Sequence, residues 1–369
     1  MNVDKIKLIN FRNYENIDLD LNKNVNIFIG KNAQGKTNLL EAIHMCAMGK
    51  SFRTNRDKEI IKFSKNAAYI GVDISFGNHK KFIEIKLESD RPKTIRINKT
   101  ELKSHKDLDS GLNIVLFSPE DLRMVKDGPQ ERRNFLDKGI SQTKPVYNYN
   151  INRYKKLLFQ RNNLLRTGRF RKNIGDLLDV FDIQISKIGT SIIIERSQYI
   201  DLLSRYSKEI HGKITEGLEE LILKYSTNIP ILEDRKEMEK AYIDLMKKNI
   251  KRDIEYGSTE IGPHRDDILM YIDDREVKVF GSQGQQRTVV LSLILSQVEL
   301  IKSDRGMYPV LLLDDVFSEL DIDRRKYLST LFCNIQTFIT LTNSENLKSI
   351  DGFNRSIFYI EDGKLIDKE

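Results

Sequence analysis

Hydrophobic positions along the chain follow two rhythms, and the switch between them divides it. Ile6, Leu8 and Phe11 alternate with polar neighbours, as do Ile17, Leu19 and Leu21, so each stretch predicts a strand with one buried face. A third strand is expected over 25–29, ending abruptly at Gly30, with a helix over 37–48. Further strands are expected over 68–76, 81–87 and 94–97, and a short apolar one over 113–117 that stops at Ser118-Pro119. From about Gly128 the period lengthens. Tyr147, Ile151, Tyr154, Leu158 and Leu165 fall at steps of three, four and seven, which is helical spacing.

Leu177, Phe181, Ile185, Ile188, Ile192, Tyr199, Leu202, Tyr206 and Ile210 continue that rhythm, with Glu195 interrupting the apolar seam. They predict one amphipathic helix of about 34 residues, roughly 50 Å long at ~1.5 Å per residue. Gly168 and Gly175 bracket the turn before it, and a third helix is expected over 233–251. Strand patterns return over 268–272 and 277–280, followed by a helix over 285–301 and a very apolar strand over 310–313. The expected architecture is an α/β body, residues 1–130 with 255–369, interrupted by a helical domain over 131–254.

Composition narrows the class. At 39% hydrophobic and 31% charged the chain can bury a large core and stay soluble. No stretch reaches the roughly 20 apolar residues that cross a bilayer, and the polar start lacks the apolar core of a signal peptide, so a cytoplasmic protein without a membrane partner is expected. Cys46 and Cys333 form no C-x-x-C pair, which excludes a cysteine zinc site or hook; both are expected as reduced, buried thiols. The five histidines have no ligand spacing, so any metal must arrive with a nucleotide. The net charge of +7 is unevenly placed: 131–254 holds 25 Lys and Arg against 17 Asp and Glu, and the remainder is nearly balanced.

Three motifs carry chemistry. Gly30, Lys31, Asn32, Ala33, Gln34, Gly35, Lys36 and Thr37 fit G-x-x-x-x-G-K-[ST], with a strand before and a helix after. Such a P-loop curls backbone N–H groups around phosphate; Lys36 would reach the β/γ-phosphates and Thr37 would help hold Mg²⁺. Val310 to Leu313 followed by Asp314 and Asp315 has the form of a Walker B strand. Asp314 would meet the same Mg²⁺ and Asp315 would orient or deprotonate an attacking water. Ser282-Gln283-Gly284-Gln285-Gln286-Arg287-Thr288 opens a long apolar helix about 30 residues earlier. Alone, Ser282 reads as an ordinary helix N-cap; between a P-loop and a Walker B strand it reads as a second anion site.

These motifs, in this order and with Ser318-Glu319-Leu320-Asp321 after them, resemble ABC-type ATPases. More specifically, Lys7 to Tyr14, Gly30 to Thr37, Phe117 to Leu122, Gly262 to Asp267 and Ser282 to Thr288 resemble the RecF family, and together they span nearly the whole chain. The resemblance implies an ABC-type P-loop ATPase head with an inserted helical arm, related to SMC and Rad50 heads, that dimerises around ATP. Ser282 of one copy would then face the γ-phosphate on the other, with 318–321 as the D-loop and Ser118-Pro119-Glu120 as a Q-loop linking head to arm. Arg53, in Lys50-Ser51-Phe52-Arg53, reads either as a nucleotide contact or as a solvated residue. Two departures are present: Asp315 stands where the family class has a catalytic Glu, and Phe338 to Asn343 offers hydroxyls in place of a switch histidine. A hydroxyl is a poor base at neutral pH, so slow hydrolysis is expected. Lys36, Asp314, Asp315 and Ser282 are the expected catalytic group, with Mg²⁺ on Thr37 and Asp314.

Between 153 and 172 lie Arg153, Lys155, Lys156, Arg161, Arg166, Arg169, Arg171 and Lys172 with no acidic residue, and Tyr154, Phe159 and Phe170 are interleaved. Charge runs are usually solvated faces, but a one-sided run of this kind predicts sequence-independent DNA contact. The expected protein is therefore a weak, DNA-stimulated ATPase whose ATP-dependent homodimer clamps single-stranded and duplex DNA at gaps or junctions. It would serve repair, replication restart and SOS induction, and the resemblance implies RecO and RecR as partners. The competing expectation is a short-armed SMC- or Rad50-like DNA-organising ATPase. It is disfavoured by an insertion of only 124 residues and by the absent C-x-x-C.

Overall fold

The structure is a computed structural model. It describes every residue except 104–107, 109, 169–173, 318–319, 344–346 and 348–351. By contacts the chain divides into two compact units, Met1–Asp121 with Ile301–Glu369, and Leu122–Leu300. The boundaries expected from the period change lie at 131 and 254.

The first unit contains two six-stranded sheets. In one, β2 (Tyr14–Asp20), β1 (Asn2–Phe11), β4 (Ala67–Phe76), β5 (His79–Glu88), β6 (Thr94–Ile97) and β7 (Thr100–Glu101) lie in that order, each antiparallel to its neighbour. The alternation read along β1 is real: Ile6 and Leu8 are buried while Lys7 is exposed. The other sheet is ordered β15 (Lys364–Lys368), β14 (Arg355–Glu361), β3 (Val25–Ile29), β13 (Thr337–Leu341), β12 (Val310–Leu313) and β8 (Ile114–Phe117). All but β15 run parallel, and β3, β12 and β13 are buried at every residue, as strands covered on both faces must be. Helix α1 (Lys36–Met48) packs its Leu39, Leu40, Ile43 and Met45 into the core shared by these sheets.

The second unit is mainly helical: α2 (Arg123–Lys126), α3 (Pro129–Thr143), α4 (Pro145–Thr167), α5 (Ile174–Ile214), α6 (Arg235–Tyr256), the single turn α7 (Val277–Phe280) and α8 (Gln283–Arg305) as far as Leu300. Helix α9 (Ile322–Ser329) belongs to the first unit. Helix α5 has 41 residues, and Ile185, Ile188, Ile192, Tyr199 and Ile210 of the expected seam are buried, with a shift of one position at two sites. Leu178 and Leu203 are buried, while Leu177 and Leu202 face outward. Gly175 lies inside α5 rather than in a turn, whereas Gly168 caps α4.

The helical rhythm hides a three-stranded antiparallel sheet, β11 (Arg275–Glu276), β10 (Asp267–Ile272) and β9 (Leu221–Ser226). Strand β9 is absent from the expected pattern. It is held by pairing to β10, with Leu221 opposite Ile272 and Leu223 opposite Met270. Residues 277–280 form a helical turn instead of the expected strand; only Val277 is buried, so there is no second inward position for a strand to cover. Cys46 is buried, but Cys333 is exposed, contrary to expectation.

Candidate functional site

Parallel strands deliver the site. The loop after β3 and the end of β12 both lie at the carboxyl edge of the parallel sheet, where open α/β folds place ligands. Between them, β13 supplies the spacer: Gly30 N–H donates to the Leu341 carbonyl (3.2 Å) and Asp315 N–H to Thr340 Oγ1 (2.8 Å). Thr37 Oγ1 donates to Asp314 Oδ1 at 2.8 Å, so two motifs 277 residues apart meet directly. Thr340 Oγ1 donates to the same oxygen at 2.9 Å. Its hydroxyl therefore orders both aspartates of the Walker B pair.

Asp314 is almost fully buried, and burial raises its carboxyl pKa while the Thr37 and Thr340 hydroxyls oppose the rise. Lys36 is also buried, with its Nζ donating to the carbonyls of Gly30 (2.6 Å) and Lys31 (2.8 Å). Burial lowers its pKa, and the field of Asp315 and Asp314 offsets part of that effect. Asp315 holds a left-handed backbone with φ 53°, a conformation that costs a non-glycine residue energy and recurs at functional sites.

The P-loop is shaped by close approach. A Cβ on Gly30 would lie 2.2 Å from the Ile360 carbonyl oxygen, and Gly35 has φ +115° with Asn13 Oδ1 only 2.7 Å from its Cβ position. Asn13 Nδ2 donates to the Gln34 carbonyl (2.8 Å), Tyr14 Oη to the Gly35 carbonyl (3.1 Å), and Gly363 N–H to the Gln34 carbonyl (3.1 Å). The loop leads into α1, whose first N–H groups present a positive helix end. An anion could thus meet backbone N–H groups, Lys36 and the α1 terminus together, beside an all-oxygen pair suited to a hard cation.

Sequence patterns alone miss the brace behind this site. Glu41 is fully buried in α1 and receives Arg12 through two hydrogen bonds (2.9 and 2.6 Å) and Ser51 Oγ at 2.5 Å. Arg53, one of the two readings left open, donates to Asn38 Oδ1 (2.8 Å), and its guanidinium lies 3.7 Å from Glu41. Asn38 in turn donates to Asn13 Oδ1 (2.8 Å). A signal existed in the strings Asn10-Phe11-Arg12-Asn13-Tyr14 and Ser51-Phe52-Arg53, whose polar residues fall at the ends of predicted elements.

Ser282 lies in the second unit, exposed at the start of α8. Gln285 N–H donates to Ser282 Oγ (3.2 Å) and Ser282 N–H to Gln285 Oε1 (2.8 Å), a reciprocal capping box. Ser118 closes a tight turn on Asp121, at the boundary between the units. Of 318–321, Ser318 and Glu319 lie outside the described residues; Asp321 caps α9 by accepting from Arg324 N–H (3.0 Å).

The basic run is split by burial. Arg153, Lys155, Lys156 and Arg166 are exposed on α4, with Phe159 65% exposed beside them. Arg161 is not a surface residue. Its Nε donates to Asp182 (2.6 Å), and one terminal nitrogen donates to Asp253 (2.7 Å) and Thr259 (2.8 Å), all of it buried. Tyr154 is buried too, and accordingly presents no ring to solvent. Arg169, Phe170, Arg171 and Lys172 lie outside the described residues. In the 262–267 segment, His264 is held by Tyr154 Oη (2.7 Å) and the Thr259 carbonyl (2.8 Å), and Asp266 accepts from Arg196 and Tyr225. That segment locks the second unit together.

Among the described residues no helix is long and apolar enough to cross a membrane. The family model for the RecF/RecN/SMC N-terminal domain matches residues 2–363. The chain is 44% identical over 366 residues to the DNA replication and repair protein RecF of Clostridium perfringens (strain SM101 / Type A), covering 99% of each. It is also 44% identical over 367 residues to that of Alkaliphilus oremlandii, covering 99% of this chain and 100% of the relative. A solved structure of the recombination mediator protein RecF with ATP, in the RecFOR pathway, superposes with a TM-score of 0.91 at 34% identity, covering 100% of this chain and 97% of the other. An Smc head bound to the winged-helix domain of ScpA shares the fold alone, with a TM-score of 0.59 at 15% identity over 100% and 98% of the two chains. The chain has the ABC-type ATPase fold and belongs to the RecF family.

Proposed function

We propose that this protein is an ATP-gated DNA-binding protein of recombinational repair. ATP binds at Gly30 to Thr37, with Mg²⁺ held by Thr37 and Asp314, and Asp315 sets the attacking water. The single observation that carries this reading is the direct Thr37–Asp314 hydrogen bond at 2.8 Å, which joins a phosphate-binding loop to a carboxylate across the sheet. Mg²⁺ would supply charge neutralisation at the phosphates; the donor set of hydroxyl and carboxylate fits it. Thr37 and Asp314 would hold it together with phosphate oxygens of the nucleotide.

Two copies join when ATP is bound, with Ser282 of each facing the nucleotide on the other. Val279 and Phe280, 63% and 69% exposed immediately before Ser282, favour this, because an apolar pair beside an anion site suits a surface that becomes covered. The functional head is drawn from 1–130 and 255–369, and 131–254 is the arm. DNA, gapped or at a single-strand/duplex junction, lies against the dimer and the exposed face of α4 formed by Arg153, Lys155, Lys156 and Arg166. Hydrolysis is slow and DNA-stimulated, since Asp315 is one methylene shorter than Glu and the Thr340 hydroxyl already serves the two aspartates. We extend the reading, on the family resemblance, to a cytoplasmic role in replication restart and SOS induction, with RecO and RecR as partners.

Light scattering with no nucleotide, ADP, or ATP plus Mg²⁺, each with and without gapped DNA, tests the mechanism. A monomer that dimerises only with ATP and then retains DNA is expected. A species indifferent to ATP would sink the gating.

A further inference from the structure

Helix α5 ends at Ile214, and the chain beyond it is tied down. Thr215 Oγ1 donates to the His211 carbonyl (2.9 Å) and Gly217 N–H to the Gly212 carbonyl (2.8 Å), with Gly217 at φ +77° to turn the backbone. Glu220 N–H then donates to Asp273 Oδ1 (3.0 Å) and Asp273 N–H to the Glu220 carbonyl (3.2 Å). That pair fastens the exit of the turn to the one between β10 and β11. Glu219 is thus delivered on backbone fixed at both sides, with its side chain only 23% exposed. A carboxylate drawn in this far from water must accept hydrogen bonds in return.

Its two oxygens reach two different helices. Gln285 Nε2 donates to Glu219 Oε1 (2.9 Å), and the ring of His211, fully buried in the last turn of α5, places Nε2 3.1 Å from Glu219 Oε2. His211 Nδ1 lies 3.3 Å from Ser292 Oγ, two turns beyond Gln285 on α8. The carboxylate also decides which way round the Gln285 amide sits. It can only accept, so it takes the NH₂ end and leaves Oε1 for Ser282 N–H (2.8 Å). Gln285 N–H donates to Ser282 Oγ (3.2 Å), so the serine is held through both its backbone and its hydroxyl oxygen. The hydroxyl proton is left to donate outward.

We infer that Glu219 is the positioning residue that presets Ser282 for the nucleotide on the second copy, and that through His211 it ties that serine to the end of α5. This rests on the contact in trans proposed above and deepens it. Ser282 sits at an exposed helix start, where side chain and backbone would otherwise have to be ordered as the copies meet. Ordering them at that moment subtracts from the affinity gained; ordering them beforehand does not. Glu219 acts through Gln285 rather than on the nucleotide itself.

The test separates the grip of the P-loop from the contact in trans. Calorimetric titration of the full chain with ADP reads the P-loop. Light scattering in saturating ATP plus Mg²⁺ gives the protein concentration at half-dimerisation, and steady-state turnover is measured beside it. Glu219→Ala should leave ADP affinity unchanged, raise the half-dimerisation concentration on the order of 10-fold and lower turnover by a similar factor. Glu219→Gln keeps an acceptor oxygen for Gln285 and should recover most of both. Unchanged dimerisation and turnover in Glu219→Ala overturn the inference. So does equal loss in Glu219→Gln, or ADP binding that weakens in step with dimerisation, which would make Glu219 a general support of the fold. An unmodified protein that stays monomeric in ATP would overturn the contact in trans itself, and this inference with it.

Discussion

The phosphate-loop site and the interior of the second unit treat buried charge in opposite ways. In the first, Lys36 is buried against backbone carbonyls and Asp314 against two hydroxyls, neither within hydrogen-bonding reach of an opposite charge. In the second, Arg161 meets Asp182 and Asp253, Arg196 meets Asp137 and Asp266, and Arg132 meets Asp267 through two nitrogens. Burying an uncompensated charge is costly, so it persists where a ligand completes it; buried charges held on partners of opposite sign need none. The same residue types thus mark a binding site in one region and a framework in the other.

The largest expected effect breaks the framework side. Arg161→Ala leaves Asp182 and Asp253 buried without their cation and should cost about 3–5 kcal/mol of unfolding free energy in urea titration. Arg153→Ala, on the solvent face of the same helix, should stay within about 0.5 kcal/mol. A cost for Arg161→Ala below about 1 kcal/mol would erase the distinction between the units.

On the site side the signature is inverted. Lys36→Ala should lower ATP turnover about 10²–10³-fold, equivalent to about 2.7–4 kcal/mol of transition-state stabilisation, without reducing unfolding free energy. Lys36→Arg should lose hydrolysis while ATP-dependent dimerisation largely survives. Dimers that fail to form at saturating ATP would separate the charge from the role given to it.

His264 sharpens the framework through pH. Burial, the largest cause, lowers its pKa to about 4, against an ordinary value of 6.5. Between these values the unfolded chain binds the proton and the folded one does not. Stability from this residue is therefore complete above pH 6.5 and is lost as pH falls towards 4, by about 3 kcal/mol in all. Comparing the pH dependence of urea unfolding with that of His264→Asn isolates the slope from carboxylates titrating nearby. Parallel curves would remove His264 from the framework.

What the sequence reveals follows the same division. A P-loop and a Walker B strand are contiguous strings whose backbone conformation is dictated locally, by Gly30, Gly35 and a strand buried on both faces, so they are legible one residue after another. The framework is assembled from residues far apart: Arg161 finds Asp253 92 positions away and Thr259 98 positions away. One clue was available. Arg161 falls three residues after Leu158 and four before Leu165, on the apolar stripe of α4, where a charged side chain must be buried and paired. Strand β9 gave less, because six residues between long helices acquire their identity only from pairing with β10. Asn13 and Thr340 fall in strings the sequence singles out, but their roles, like that of Glu41, depend on loops that the sheet order brings together.

The smallest effect tests the exposed half of the basic run. Lys156 lies on the solvent face of α4 in helical register with Tyr149 and Arg153, and Tyr149 is 63% exposed, which gives a cationic stripe with an aromatic neighbour. Each phosphate neutralised by such a residue contributes about 0.9 to the slope of log affinity against log salt on duplex DNA, and about 0.7 on single strands. Lys156→Ala should therefore reduce that slope by about one on duplex and leave stability within about 0.5 kcal/mol. Because a point charge on phosphate reads no base, the loss should be equal across unrelated sequences. A slope that does not move would return Lys156 to the class of solvated helix charges and leave the DNA contact to other cations of the chain.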